Sequence, residues 1–427
     1  MLAYRAGRAI RADEFLAAAA ALAATLPAGR HVINVCADRY RFAVGLAAAV
    51  LAGKVSLLPP SHTPQVVRHL RQFAPDVFCL TDAEECAIDL PQVRVAQVPA
   101  APRPWRVPQL PPDTLVAYVF TSGSTGVPVP HPKTWGRLVA CVREGAARLR
   151  LAPGTALLAT VPAQHMYGFE SSVLLALIAG AALVAERPFY PADIAQALAA
   201  LPRPRALIST PIHLRAMLAA ELTLPPVDLI LSATAPLDAR LAEDAEARFA
   251  APLIEIYGST ETGQLATRRT ARERVWHPWP SLRLRPEGDR IWAREGHLEA
   301  PTPLGDALEL LADGTFLLHG RLADLVNIAG KRSSLGYLTH QLLAIEGVHD
   351  GAFFLPERTA ASGISRVAAA VVAPELTEAR LLAALRERLD PVFLPRPLLK
   401  VERLPRNSTG KLPQEALAAL LDPPARP

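Results

Sequence analysis

Short runs of apolar and β-branched residues alternate along this chain with longer stretches whose apolar positions recur at helical spacing. "HVINVC" (31–36) predicts a strand and "RFAVGLAAAVLA" (41–52) a helix. "VSLL" (55–58) and "DVFCL" (76–80) predict further strands, with a helical pattern between them. A proline-rich connector, "APRPWRVPQLPPD" (101–113), interrupts the rhythm, which then resumes. Strands are expected at 115–120, 156–161, 181–185, 205–209, 228–233 and 253–257, and helices at 134–149, 170–178, 191–200, 211–221 and 237–249. This β-α-β order predicts an α/β fold of doubly wound, mostly parallel sheets, with ligands at the carboxyl ends of strands.

From about residue 280 the pattern changes. Short extended runs separated by turn residues such as Asp313-Gly314 predict antiparallel strands, arranged as a small barrel-like part over about 280–320. Beyond Gly320 the pattern is α+β, with strands at 352–355 and 366–373 and a helix at 377–389. The expected division is therefore residues 1–320 and a smaller domain, 321–427.

Composition narrows the function classes. The chain has 427 residues, half of them hydrophobic, enough for two or three domains. Its net charge of +5 comes almost entirely from arginine; the lysines are Lys54, Lys133, Lys331, Lys400 and Lys411. The arginines are scattered, without a stripe of interleaved aromatics, so no nucleic-acid partner is expected. Cys36, Cys79, Cys86 and Cys141 have neither CxxC spacing nor histidine partners, and read as small hydrophobes in a reducing compartment. "FLAAAAALAATLPA" follows Asp13 and Glu14 and is alanine-rich, which predicts an amphipathic or buried helix, with a signal peptide as the lesser alternative. "SSVLLALIAGAALVAE" is too short and glycine-interrupted to span a membrane. A soluble cytoplasmic protein is expected.

Candidate chemistry begins at "YVFTSGSTGVPVPHPKTW" (118–135), where an apolar strand ends in Thr121-Ser122-Gly123-Ser124-Thr125-Gly126. Small residues expose backbone N–H groups and hydroxyls add donors, which makes a cradle for phosphates. A flexible serine-glycine loop is the competing reading. The sequence G-x-x-x-x-G-K-[ST] does not occur, so this is not the common P-loop. Three more motifs follow in order: "IEIYGSTETG" (254–263), "HGRLADLVNIAGKR" (319–332) and "LPRNSTGKLP" (404–413).

In this order and at these separations the four motifs resemble the adenylate-forming superfamily, which includes acyl- and aryl-CoA synthetases, carrier-protein ligases, peptide-synthetase adenylation domains and luciferases. The resemblance covers nearly the whole chain. It implies ATP-dependent activation of a carboxylate to an adenylate, release of pyrophosphate, and transfer to a thiol, either CoA or the phosphopantetheine of an acyl carrier protein. It implies that Thr121, Ser122, Gly123, Ser124, Thr125 and Gly126 hold the β- and γ-phosphates. Tyr257 would stack on adenine beside Gly258, Ser259 and Ala233 of "SATAP" (232–236). Thr260 would bond the α-phosphate, and Glu261 would help hold Mg²⁺. Asp306 would accept from the ribose hydroxyls, with Arg321 in support. Arg332 would close the hinge segment, His165 of "VPAQHMYGF" (161–169) would line the acyl tunnel, and Lys411, on a mobile C-terminal domain, would carry adenylation.

The chain departs from the family pattern in two places. Val129, Pro130, His131 and Pro132 stand where the family continues Pro-Lys-Gly, with Lys133 next, as a substitute or a helix-start residue. Ala323, followed by Asp324, occupies the usual hinge position. These departures motivate an alternative, a non-catalytic nucleotide- or acyl-binding homologue; a third reading is an unrelated kinase or hydrolase, which would release ADP and not AMP. His165, Met166, Tyr167, Phe169, Ser232 and Thr234 suit an aromatic or medium acyl carboxylate. The compact chain resembles ligases of aryl-polyene and xanthomonadin-type pigment pathways.

Overall fold

A continuous apolar run needs cover on both faces, and the strand Val55–Leu58, with all four residues buried, has it. It lies inside a six-stranded sheet whose order is Gln92–Arg94, Phe78–Thr81, His31–Asn34, Val55–Leu58, Leu115–Ser122 and Pro128–Thr134. All neighbours are parallel except the last pair. In the computed structural model the described residues are 1–95, 107–122, 128–288, 290–322, 325–328, 331–356, 366–407 and 412–421.

A nine-stranded sheet packs against the first. Its centre is parallel and runs Leu253–Ser259, Leu229–Ser232, Arg205–Ser209, Ala156–Ala159, Ala182–Val184, Ala3–Arg5. Antiparallel strands close both edges: Gly263–Arg268 and His277–Pro278 on one side, Arg8–Ile10 on the other. The sheets share one core, in which Val32, Leu58 and Val119 of the first cluster with Leu157, Leu183 and Ile208 of the second. Between them the helix Arg39–Leu51 starts with a fully buried arginine. Arg39 donates to Ser172 Oγ at 2.6 Å and to the carbonyls of Ala159 and Val161 at 2.9 Å. These bonds offset the cost of burying the guanidinium, although burial still pulls its pKa down to about 9.

Most predicted elements lie within a few residues of their expected bounds, and the differences have local causes. Ala3–Arg5 and Arg8–Ile10 are three-residue strands, too short to show periodicity, joined by Ala6 and Gly7 at positive φ. Pro128–Thr134 is a strand despite prolines at 128, 130 and 132, because it lies on a sheet edge where missing N–H donors are tolerated. Lys133 is therefore a strand residue and does not start the helix, which is Trp135–Arg148. The helix expected at 170–178 begins at Met166 and passes through a π-helical stretch, Phe169–Leu174, before Leu175–Ala179.

The region after 280 is antiparallel as predicted, but the barrel-like expectation is corrected: no closed barrel occurs among the described residues. Leu282–Glu287, Arg290–Glu295 and Thr302–Pro303 form one small sheet, and Asp306–Leu310 with Phe316–Arg321 form a separate pair. Pro303 has no N–H with which to extend the ladder beyond Trp292. Further on, the hairpin Leu325–Ile328/Lys331–Ser334 leads into helix Leu335–Leu343 and a sheet of Asp350–Phe354, Ala368–Val372 and Leu398–Lys400. These last elements bury their own apolar clusters, centred on Leu338, Leu342 and Val371 and on Phe354, Ala370 and Leu417.

Candidate active site

The strand Leu253–Ser259 leaves its sheet at the carboxyl end and turns back through Thr260, Glu261 and Thr262 into Gly263–Arg268. Glycine at 258 is what lets the chain turn so tightly: a Cβ there would lie 2.2 Å from the carbonyl oxygen of Gly263. The turn is held by its own hydroxyls. Ser259 N–H donates to Thr262 Oγ1 at 3.1 Å, and Thr262 N–H donates to Ser259 Oγ at 3.2 Å. Before the turn, Tyr257 is almost wholly buried against Trp276 and Phe316. Its hydroxyl donates to Asp306 Oδ2 at 2.7 Å. Asp306 opens its strand directly opposite Arg321, so the two residues assigned to the ribose are cross-strand neighbours.

The first motif arrives from the other sheet. Thr121 Oγ1 lies 3.0 Å from His131 Nε2, which is 3.9 Å from Glu261 Oε1. Thr121, His131 and Glu261 thus meet, although 140 positions of sequence separate the first from the last. Burial pushes the Glu261 carboxyl up, yet hydrogen bonds from its own backbone and Ser259, with the charges at His131 and Lys133, leave its pKa below the ordinary value. Ser232 ends its strand fully buried, Ala233 follows, and Thr234 stands at φ +81°. A β-branched residue in that region is strained, and such strain gathers at functional sites. His165 caps the helical segment starting at Met166, its Nδ1 accepting from Tyr167 N–H at 3.3 Å.

Ser122 ends the strand Leu115–Ser122, and Arg332 sits opposite Asn327 in the hairpin ladder. Gly123, Ser124, Thr125, Gly126 and Lys411, with Ala323 and Asp324, lie outside the described residues.

Behind the Thr260–Glu261 turn, Lys133 and Gly263 of the motifs meet a group of residues to which motif reading gave no place at the site: Cys141, Glu170 and His297. Lys133, Cys141, Glu170, Gly263 and His297 wall a cavity of about 10 Å³, with room for one water molecule. Lys133 donates to the backbone carbonyl of Glu261 at 3.1 Å. His297 Nε2 lies 3.0 Å from the carbonyl of Thr262. Cys141 Sγ donates to Glu170 Oε1 at 3.4 Å. Burial pushes the Glu170 carboxyl up to about 7, with Lys133 opposing it, and pulls His297 down to about 4. Burial also lowers the pKa of Lys133, against the pull of Glu170. The available signals were a charge inside the apolar run "YGFESSVLL" and the scarcity of lysine.

Two sheets meeting at strand carboxyl ends, with a hydroxyl-lined turn, the Glu261 carboxylate and a tyrosine–aspartate pair, are the arrangement that the resemblance to an adenylate-forming ligase implies. Residues 11–288 match the family of AMP-binding enzymes, and the chain belongs to that family. It is 35% identical to a 4-coumarate–CoA ligase of Rhodobacter capsulatus over 285 residues, 65% of this chain and 68% of that protein. It is 30% identical to the 4-coumarate–CoA ligase of Halorhodospira halophila over 307 residues, 68% of this chain and 73% of that protein. The fold is shared with ATP-bound MatB of Rhodopseudomonas palustris, at a TM-score of 0.81 and 20% identity, over 99% of this chain and 96% of the other. It is also shared with the O-succinylbenzoate coenzyme A synthetase of Bacillus subtilis in complex with ATP and magnesium ion, at 0.80 and 18%, over 96% and 95%. The chain is thus an ATP-dependent acid–thiol ligase, which adenylates an acyl or aryl carboxylate and forms a thioester. No helix among the described residues is long and apolar enough to cross a membrane.

Proposed function

We propose that this ligase activates a small aryl carboxylate of the hydroxycinnamate or hydroxybenzoate type and transfers it to CoA. The carrying observation is the meeting of Thr121, His131 and Glu261 beside the Tyr257–Asp306 pair, in a chain related to 4-coumarate–CoA ligases. A weaker relative is the 3-hydroxybenzoate–CoA/4-hydroxybenzoate–CoA ligase of Thauera aromatica, 23% identical over 355 residues.

In this reading Tyr257 presents an aromatic surface to adenine while its hydroxyl orients the Asp306 carboxylate for the ribose, with Arg321 alongside. The Thr121–Gly126 loop and Thr260 hold the phosphates, and Ala233, Gly258 and Ser259 floor the nucleotide site. His165 lines the way to the acyl group. Among the described residues no three His, Cys, Asp or Glu side chains gather as a metal cage. One exposed carboxylate, Glu261, fits magnesium, which keeps most of its waters and uses few protein ligands beside phosphates. When bound, the ion screens the charge of the departing pyrophosphate. Residues 321–427 form a mobile lid that brings Lys411 to the carboxylate and α-phosphate, with Arg332 in the hinge segment.

The test is product identity. Protein, ATP and Mg²⁺ with 4-coumarate, 3-hydroxybenzoate or 4-hydroxybenzoate should give AMP and pyrophosphate, and a thioester once CoA is added. ADP as product, or no pyrophosphate exchange with any aryl acid, overturns the proposal. A thioester on a phosphopantetheinylated acyl carrier protein, with none on CoA, would reassign the acceptor.

A further inference from the structure

Lys133 is only 5% exposed, and its ammonium reaches the backbone carbonyl of Glu261 from beneath the turn. Its own backbone is well held. Lys133 pairs with Ala117 in the sheet ladder, and the next residue, Thr134, gives both its N–H and its hydroxyl to Glu299 Oε1 at 2.7 Å. The backbone from which the ammonium reaches is therefore fixed. Glu170 supplies the nearby opposite charge from the π-helical stretch Phe169–Leu174. A π-bulge is an unusual feature that gathers at functional sites. Glu170 also lies close to the far end of the turn, where a Cβ added to Gly263 would come within 2.8 Å of Glu170 Oε1. The turn is thus bonded at Glu261 by Lys133 and closely approached at Gly263 by Glu170.

We infer that Lys133 is a positioning residue that aims the Glu261 carboxylate and Thr260 for magnesium–ATP. The inference rests on the proposed roles of Glu261 and Thr260. A lysine that merely neutralised a buried acid would need no bond to the turn; this one points its donor at the residue that carries the metal-binding carboxylate.

Two variants separate positioning from charge balance. Lys133→Met removes the bond and takes the nearby positive charge away from Glu170. Lys133→Met/Glu170→Gln removes the bond with no buried charge left behind. The readouts are calorimetric affinity for magnesium–ATP, affinity for ATP in EDTA, and the thermal midpoint. Both variants should bind magnesium–ATP about tenfold more weakly than wild type, the loss of one charge-assisted hydrogen bond. The double variant should regain the thermal midpoint lost by the single one without regaining affinity, and in EDTA the difference from wild type should largely vanish. Should Lys133→Met fail to fold, the double variant decides alone. Wild-type magnesium–ATP affinity in the double variant, or an equal loss in EDTA, overturns the inference. A wild-type protein that bound no magnesium–ATP would overturn the functional reading itself, and this inference with it.

Discussion

A carboxyl group in the middle of an apolar helix has two ways to exist: paired with a cation, or protonated. Glu170 does some of both, since burial pushes its pKa from 4.5 to about 7 while Lys133 opposes the shift. The sign of the consequence follows from proton linkage. Between pH 4.5 and about 7 the folded protein holds a proton that the unfolded chain has released, so stability present at low pH falls as pH rises through 7. Glu170→Gln removes that slope. Urea midpoints of wild type and Glu170→Gln at pH 5.5 and pH 8 should therefore diverge, the variant gaining on wild type in alkali. His297, whose pKa is depressed by burial, tilts the curve the other way in acid. It is present in both proteins, so the difference between them reports Glu170 together with the Lys133 charge it faces. A difference that is constant with pH would mean that Glu170 is ionised throughout and fully compensated by its neighbours.

At the scale of elements, the turn between Leu253–Ser259 and Gly263–Arg268 is determined by main-chain contact. A methyl group at position 258 would meet the Gly263 carbonyl at 2.2 Å and Gln264 Cα at 3.0 Å, and neither can rotate away. Gly258→Ala must open the turn that carries Thr260 and Glu261. We expect a cost of about 1–3 kcal/mol, typical of overpacking, and pyrophosphate exchange reduced at least tenfold, of the order lost with one preorganised contact. Exchange kinetics read beside a denaturation curve would check both, and unchanged exchange would show that the turn tolerates opening. The same element shows what a sequence makes legible. "IEIYGSTETG" is visible because tight turns demand glycine and hydroxyl residues in a fixed local order. The parallel strands are visible because cover on both faces leaves an unbroken apolar run. Pro128–Thr134 was hidden because alternate prolines read as a breaker and only edge placement makes them acceptable. Glu170, His131 and His297 were hidden for a different reason: their meanings come from residues on other elements, Gln264 for Glu170, Glu261 for His131 and Thr262 for His297. The barrel failed at the level between, where strand type was read correctly and closure depended on where the ladders end.

At the scale of the whole molecule, the role proposed for Lys411 requires a residue far along the chain to reach chemistry organised around residue 261. The elements from Val326 onward have their own buried clusters, and polar contacts among the described residues join them to the preceding part. Ser334 Oγ donates to the His319 carbonyl at 2.8 Å, and His340 lies 3.4 Å from Asp238 in a pair with the histidine half-exposed. An exposed pair of that kind contributes at most about 1 kcal/mol, so these contacts offer little resistance to rotation of a unit with its own core. A lid that moves is needed only if Lys411 serves one half-reaction and must leave for the other. Lys411→Ala should then lower acid-dependent pyrophosphate exchange by about 10²–10³, the scale of losing one charge-stabilising donor. It should spare transfer from a supplied aryl-adenylate to CoA, measured in a single turnover. An equal loss in both steps would mean that Lys411 stays at the site throughout. The two-step use of one cleft would then have to come from movement of the thiol alone.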